Sequence, residues 1–234
     1  MNLTPCLHVK NEEHFIGHVL RPLLKTWKRG ILLDTGSTDR TVDIARDVAR
    51  STGGELTIIE EDMQNDAVRI GQCSTRLREM VTTDWMLLVD GDEIWNEAGL
   101  RALMEYTVPD GKRVCMVNAR NVRLCDGRPM RAEGWSADRL FAPGIRWDKR
   151  CEFPFQSYSL NDTFDRNLVH YIEQPDVWFW HVRHLVRSSK DTESYFRMEK
   201  LGYFPYNGPY EELPSDWCGQ VEPSWPNPYL NANG

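Results

Sequence analysis

The chemistry-bearing residues of this chain concentrate at Asp90-Gly91-Asp92-Glu93, directly after the apolar run Met86-Leu87-Leu88-Val89. Side chains at i and i+2 of an extended segment point the same way, so Asp90 and Asp92 can converge on one cation. Two carboxylates held that close repel, which favours protonation of one or a cation bound between them. Hard oxygen ligands suit Mg2+ or Mn2+, with water and phosphate oxygens filling the remaining positions. Gly91 removes the side chain that would block a phosphate or a close backbone approach. The competing reading is a solvated, inert loop after a core strand, and three carboxylates following a buried run weigh against it.

Four consecutive apolar residues read as a strand buried on both faces, and the preceding chain supplies its neighbours. Residues 4–10 read as a first strand, ended by Asn11-Glu12-Glu13. Residues 14–27 carry Phe15, Val19, Leu20, Leu23, Leu24 and Trp27 at helical spacing, and Pro22 is expected to kink that helix or restart it. Residues 30–34 form a second buried strand, again with an aspartate, Asp34, at its carboxyl end. The turn Asp34-Thr35-Gly36-Ser37-Thr38-Asp39 then leads into a helix over 41–50, capped by Thr38 or Asp39. A strand, a Gly/Ser/Thr turn and a helix N-terminus together make a place where nucleotide groups bind, so Gly36, Ser37 and Asp39 are candidate contacts. A third strand over 55–59 and a helix over 69–81, with Arg69, Arg76 and Arg78, deliver the chain to the acidic cluster.

This alternation predicts an α/β fold: an open, mostly parallel sheet with helices on both faces. In such sheets the ligand crevice lies outside the carboxyl ends of the strands. The segments 9–12, 34–39 and 90–93 all fall at that edge. Beyond it come a helix over 97–106, a strand over 113–122, a hairpin turn at 125–128 and short strand pieces at 139–141, 144–147 and 151–153. A strand over 177–180 runs into His181 and His184, and a charged helix is expected over 188–201. Trp135 and Trp147 are read as core residues. Residues 1–203 are expected to form one domain, with 204–234 an irregular Pro-, Trp- and Tyr-rich extension packed on it.

Composition narrows the classes. The 234 residues are 41% hydrophobic and 27% charged, ordinary for a globular protein. A net charge of −7 gives no global footprint for nucleic acid. The six cysteines have no CxxC spacing and are expected as free thiols. No apolar run is long enough to span a bilayer and no signal peptide is apparent, so the expectation is a cytoplasmic protein, soluble or peripheral to a membrane.

The order and spacing of Val9-Lys10-Asn11-Glu12-Glu13, the segment 34–41, the Asp-x-Asp of 85–93, Arg139-Leu140-Phe141, Gly144-Ile145-Arg146-Trp147 and the His181 region resemble the family 2 glycosyltransferases of the GT-A fold, over about residues 4–200. The resemblance implies an inverting, metal-dependent hexosyltransferase using a nucleoside-diphosphate sugar, most simply a UDP-sugar, with Mn2+ or Mg2+ as cofactor. It implies that Val9, Asn11, Glu12 and Asp34 line the base and ribose pocket and that Arg76 lies near base and phosphates. Asp90, beside Gly91, would reach the ribose or a metal-bound water, and Asp92 would bind the metal. His181 would complete the metal site, with His184 as its rival. Glu152 would be the base, with Asp138 and Glu133 as rivals. The acceptor is an open hydroxyl: glycan, lipid-linked glycan, protein or modified nucleobase. A nucleotidyltransferase is the enzymatic alternative, disfavoured because the loop after the first strand is acidic rather than glycine-rich and basic. A degenerate transferase serving as a carbohydrate- or protein-binding module is the non-catalytic one.

Overall fold

The computed structural model describes residues 1–61, 67–125, 128–131, 135–147, 158–160 and 165–182. Its first half follows the expected alternation. Strands β1 (Leu3–Val9), β2 (Arg29–Asp34), β3 (Glu55–Glu60) and β4 (Trp85–Asp90) lie in the order β3-β2-β1-β4, all parallel. Helices α1 (Ile16–Trp27), α2 (Thr41–Thr52) and α3 (Ala67–Met80) make the crossovers. Parallel neighbours require such connections, because a tight turn cannot reverse the chain twice.

The two faces of β1 meet different cores. Leu3, Leu7 and Val9 pack with the buried stripe of α1 (Ile16, Val19, Leu20, Leu23, Leu24) and with Ala45 and Val48 of α2. Cys6 packs on the other face with Cys73 and Leu77 of α3, together with Met86, Leu88 and Trp147. Helices therefore cover both faces, and Trp147 is a core residue, edge-on to Phe141 at 4.7 Å. Cys6, Cys73 and Cys115 are buried free thiols. Pro22 neither ends nor divides α1, which runs unbroken past it. The ring removes one backbone hydrogen bond, and burial of the apolar stripe on both sides of it holds the helix together.

The second half departs from a simple parallel sheet. After β4 come β5 (Glu93–Trp95) and α4 (Glu97–Glu105), then the long β6 (Val114–Cys125), β7 (Arg128–Arg131) and β8 (Trp135–Phe141). β9 (Ile145–Trp147) pairs with β10 (Tyr158–Leu160) in a small separate sheet, while β11 (Val169–Tyr171) and β12 (Trp178–His181) return to β6. The main path is β3-β2-β1-β4-β8-β6-β12-β5, with β8 and β5 antiparallel to their neighbours. The expected hairpin at 125–128 is present, Cys125 pairing with Arg128.

This order has a geometric consequence. β5 follows β4 after the two residues Gly91 and Asp92, yet lies four places from it in the sheet. Three residue steps span at most about 11 Å, whereas four strand spacings cover roughly 19 Å on a flat sheet. The sheet must curl until β5 comes back to β4, and the acidic turn is the seam.

α4 fastens that seam. Its N-cap, Asn96, accepts from the Gly99 N–H at 2.7 Å and donates to the Asp176 carbonyl at 3.0 Å and the Trp178 carbonyl at 2.7 Å. Gly99 lies so close to this turn that a Cβ would sit 2.3 Å from the Asp176 carbonyl oxygen. Because that neighbour is backbone, Gly99→Ala is expected to lower the unfolding free energy by about 2–3 kcal/mol. The measurement is the urea midpoint at unchanged m-value. Among the described residues no helix is long and apolar enough to cross a membrane.

Candidate active site

Strand register sets the acidic residues around the end of β1. Val9 pairs with Asp34 on one side and His8 with Asp90 on the other. Asp34 is buried and organises the loop that follows, accepting from the N–H groups of Gly36 at 3.0 Å and Ser37 at 2.9 Å and from the Ser37 hydroxyl. The Ser37 oxygen accepts in turn from the Asn11 N–H at 2.9 Å, and the Asn11 side chain accepts from the Thr38 N–H at 2.8 Å. Asp39 accepts from the N–H groups of Glu13 at 3.2 Å and Thr41 at 2.9 Å. The N-cap of α2 is Arg40, without a side-chain cap bond, rather than the expected Thr38 or Asp39, because Asp39 sits one residue earlier and bonds the N–H of the first helical residue. Asn11, Ser37 and Asp39 thus bind the loops after β1 and β2 to each other and fix the shape of the strand edge. Gly36, at φ 100°, makes a turn that a side chain would strain.

Gly91 has a specific neighbour. A Cβ there would meet Glu12 Cγ at 2.5 Å, and Glu12 is itself 3% exposed. The space that the glycine leaves is used by the Glu12 side chain, which brings a fourth carboxylate against the acidic turn.

The turn divides its carboxylates between two partners. Arg139, near the end of β8, donates through Nε to Glu93 Oε1 at 2.9 Å and Oε2 at 2.8 Å, and through Nη2 to Asp90 Oδ2 at 3.0 Å and to Glu93. Its Nη1 donates to the Asp138 carbonyl at 2.9 Å, and the Phe179 ring lies 5.6 Å from Cζ. The Asp90 N–H donates to Glu93 Oε2 at 3.3 Å. Burial pushes the Glu93 carboxyl above its ordinary range, with Arg139 working against the rise. Burial also works against the Arg139 charge, but Glu93 and Asp90 more than offset it and hold the guanidinium cationic.

On the other side of Asp90, His8 Nε2 stands 3.7 Å from Oδ1, beyond hydrogen-bond reach. Burial lowers the His8 imidazole below its ordinary 6.5, with Asp90 opposing and Arg139 adding to the shift. The folded protein then refuses a proton that the unfolded chain accepts below pH 6.5. The stability this residue contributes is present above that value and lost as the pH falls. In His8→Asn that acid sensitivity should be absent. The stability difference between wild type and variant is expected to shrink by up to about 1.4 kcal/mol per pH unit below 6.5. Denaturant unfolding at a series of pH values measures it, and a constant difference would contradict a neutral buried imidazole.

Asp92 meets a different partner. β12 pairs with β5 so that His181 lies opposite Glu93, and the Val182 N–H donates to the Asp92 carbonyl at 2.9 Å. This brings His181 Nε2 to 3.5 Å from Asp92 Oδ2. Two donor atoms each about 2.1 Å from a shared cation stand roughly 3 Å apart, close to that spacing. The carboxylate oxygen suits Mn2+ or Mg2+ with water and phosphate on the remaining positions, and the imidazole nitrogen favours Mn2+ over the harder Mg2+. Among the described residues no group of three or more His, Cys, Asp or Glu side chains is placed to hold a metal ion, so Asp92 and His181 stand as a pair.

The other expected residues have different partners or lie outside the described residues. Arg76 is ion-paired with Glu61 beyond the end of β3. Asp138 lies beside Cys115, whose thiol is pushed up to about 12, mainly by burial and then by the Asp138 charge. Glu152, Glu133 and His184 lie outside the described residues, as do the segments 151–153, 188–201 and 204–234. Sequence reasoning passed over Arg139 and His8 as site residues. For His8 the available signal was a polar ring in a mostly apolar buried strand, which must find a partner. Arg139 follows Asp138 in β8 and carried no such local signal.

Solved structures with related folds include S. aureus TarS residues 1-349 (19% identity, TM-score 0.45, covering 53% of this chain and 37% of that one). A second is the mannosyltransferase PcManGT from Pyrobaculum calidifontis in complex with GDP-Man and Mn2+ (18%, TM-score 0.40, covering 52% and 35%). A third is glucosyl-3-phosphoglycerate synthase from Mycobacterium tuberculosis in complex with Mn2+, UDP and glucosyl-3-phosphoglycerate (18%, TM-score 0.38, covering 51% and 43%). The similarity thus spans less than half the length of each. No curated protein matches the sequence. The family model described as glycosyl transferase family 2 matches residues 6–172, well over half the chain, and the protein belongs to that family.

Proposed function

We propose that the protein transfers a sugar from a nucleoside-diphosphate sugar, most simply a UDP-sugar, to a hydroxyl acceptor, with inversion at the anomeric carbon and with Mn2+ or Mg2+ bound. The observation that carries this reading is the pairing of Asp92 with His181 at the strand edge where Asp34 and Asp90 also end. Family membership and the two-donor character of that pair support it. TarS has been solved with UDP-GlcNAc and PcManGT with GDP-Man, which is why both uridine and guanosine donors belong in the test.

In this reading Val9, Asn11, Glu12 and Asp34 line the base and ribose pocket, whose shape Gly36, Ser37 and Asp39 hold. Asp90 and the Gly91 backbone face the ribose and the diphosphate. Asp92 and His181 hold the divalent ion, with His184 as the alternative imidazole, and when bound that ion neutralises charge growing on the departing diphosphate. Arg76 can exchange Glu61 for a phosphate at little cost, because an exposed ion pair is worth about 0–1 kcal/mol. Glu152 removes the acceptor's proton from the face opposite the leaving group, which gives in-line attack and inversion. Asp138 is the second candidate for that role, and its place beside Cys115 ranks it lower.

The test is a panel of UDP-, GDP-, ADP- and TDP-sugars incubated with protein and Mn2+, with released nucleotide identified by chromatography. Slow release of one nucleoside diphosphate, suppressed by EDTA, is expected. Release of pyrophosphate from nucleotide triphosphates in its place would point to nucleotidyl transfer, and no release from any donor would overturn the reading.

A further inference from the structure

Residues 90, 92 and 93 put three carboxylates into one buried turn, and Glu12 adds a fourth beside it. Such a cluster offers a divalent cation several competing places, whereas the proposed chemistry needs it in one. We infer that Arg139 is a positioning residue for the transfer reaction: its guanidinium ties Glu93 to one oxygen of Asp90 and so fixes the turn with Asp92 beside His181, where the two take the cation. This inference rests on the reading of the turn as a cation and diphosphate site.

The geometry has the parts that such sorting needs. Nε is shared by the two Glu93 oxygens, at 2.9 and 2.8 Å, and Nη2 reaches Asp90 Oδ2 at 3.0 Å as well as Glu93. Glu93 Oε2 also accepts from the Asp90 N–H at 3.3 Å, so backbone and side chain of Asp90 are held by the same ion pair. The remaining arm donates to the Asp138 carbonyl on Arg139's own strand, which fixes the plane of the fork. Only a planar, forked cation can hold two carboxylates at once; a lysine ammonium is a single point of charge on a flexible stem. Asp92 has no part in these bonds to Arg139. A positive charge built into the fold therefore holds part of the turn rigidly, while Asp92 stands 3.5 Å from His181 on its other side.

The test compares wild type with Arg139→Lys, using Mn2+ alone and then UDP at saturating Mn2+, or GDP where wild type prefers it. Arg139→Lys keeps the charge that Glu93 needs but cannot span to Asp90. It should bind Mn2+ alone at least as tightly as wild type, while the diphosphate binds on the order of 10- to 100-fold more weakly, the usual effect of losing the group that orients a ligand. Equal diphosphate affinity in the two proteins would overturn the inference. If Arg139→Lys does not fold, the Glu93→Met/Arg139→Met double variant replaces it, since removing both partners leaves no unpaired buried charge between them. That variant should fold and show the same weakening; recovery of wild-type diphosphate binding would reduce Arg139 to a fold residue and overturn the inference. A wild-type protein that binds neither Mn2+ nor any diphosphate overturns the functional reading itself, a result distinct from the others.

Discussion

Asp92→Asn should lose about three orders of magnitude in sugar transfer while remaining folded. The side chain keeps its size, and the bond from the Val182 N–H goes to the Asp92 backbone carbonyl, so the junction of β12 with the turn survives. What is lost is the anionic oxygen opposite His181, found 3.5 Å from its Nε2. Diphosphate binding measured with Mn2+ should fall towards the level measured in EDTA, and the EDTA value itself should hardly change. Single-turnover release of the nucleoside diphosphate checks the rate, and thermal unfolding checks the fold. Full activity in a folded Asp92→Asn protein would remove Asp92 from the metal site.

The largest effect on stability is expected at Glu93. Its side chain is completely buried and its oxygens accept from Arg139 and from the Asp90 N–H. Replacing it with methionine leaves the Arg139 cation in a dry interior with Asp90 as its remaining carboxylate partner, a change that costs about 3–5 kcal/mol. Adding Arg139→Met should recover most of that loss, because an apolar pair of similar size avoids desolvating two charges. The contrast within the same protein is Arg101–Glu97 on α4, whose partners are 66% and 53% exposed. Breaking that pair with Glu97→Gln should change stability by less than about 1 kcal/mol. Urea denaturation of wild type and the three variants settles the comparison. A Glu93→Met cost as small as that of Glu97→Gln would mean that water reaches the pair.

The parts of this molecule that were legible in the sequence are those governed by local pattern. β1 to β4 and the helices between them fall within a few residues of expectation, because buried parallel strands are short apolar runs and each crossover helix carries one apolar stripe. The placing of Asp34 and Asp90 at the carboxyl ends of the strands flanking β1 followed from that alternation. Pro22 misled because its local cost was weighed without the burial on both sides of it. β5 was hidden for a different reason: Glu93-Ile94-Trp95 is too short to show a period, and its partner, β12, lies far along the chain. The curl of the sheet depends on that pairing, and so do the seating of His181 beside Asp92 and the shape of the whole seam. The Asn11, Ser37 and Asp39 side chains were expected to face a nucleotide, and the bonds they make in the structure join two loops. Residue types specify hydrogen-bonding capacity but not the partner. Arg139 follows Asp138 in the chain, so its local setting gave no signal, and only the fold supplied Glu93 and Asp90 as its buried partners.

The account stands on the claim that the turn at residues 90–93 binds a nucleoside diphosphate together with a divalent cation. Calorimetric titration of UDP, GDP, ADP and TDP into the wild-type protein, with Mn2+ and again in EDTA, tests it most directly. Saturable binding of at least one of them that requires Mn2+ is the predicted result. Heats that are absent for all four, or that are identical with and without the metal, would contradict it.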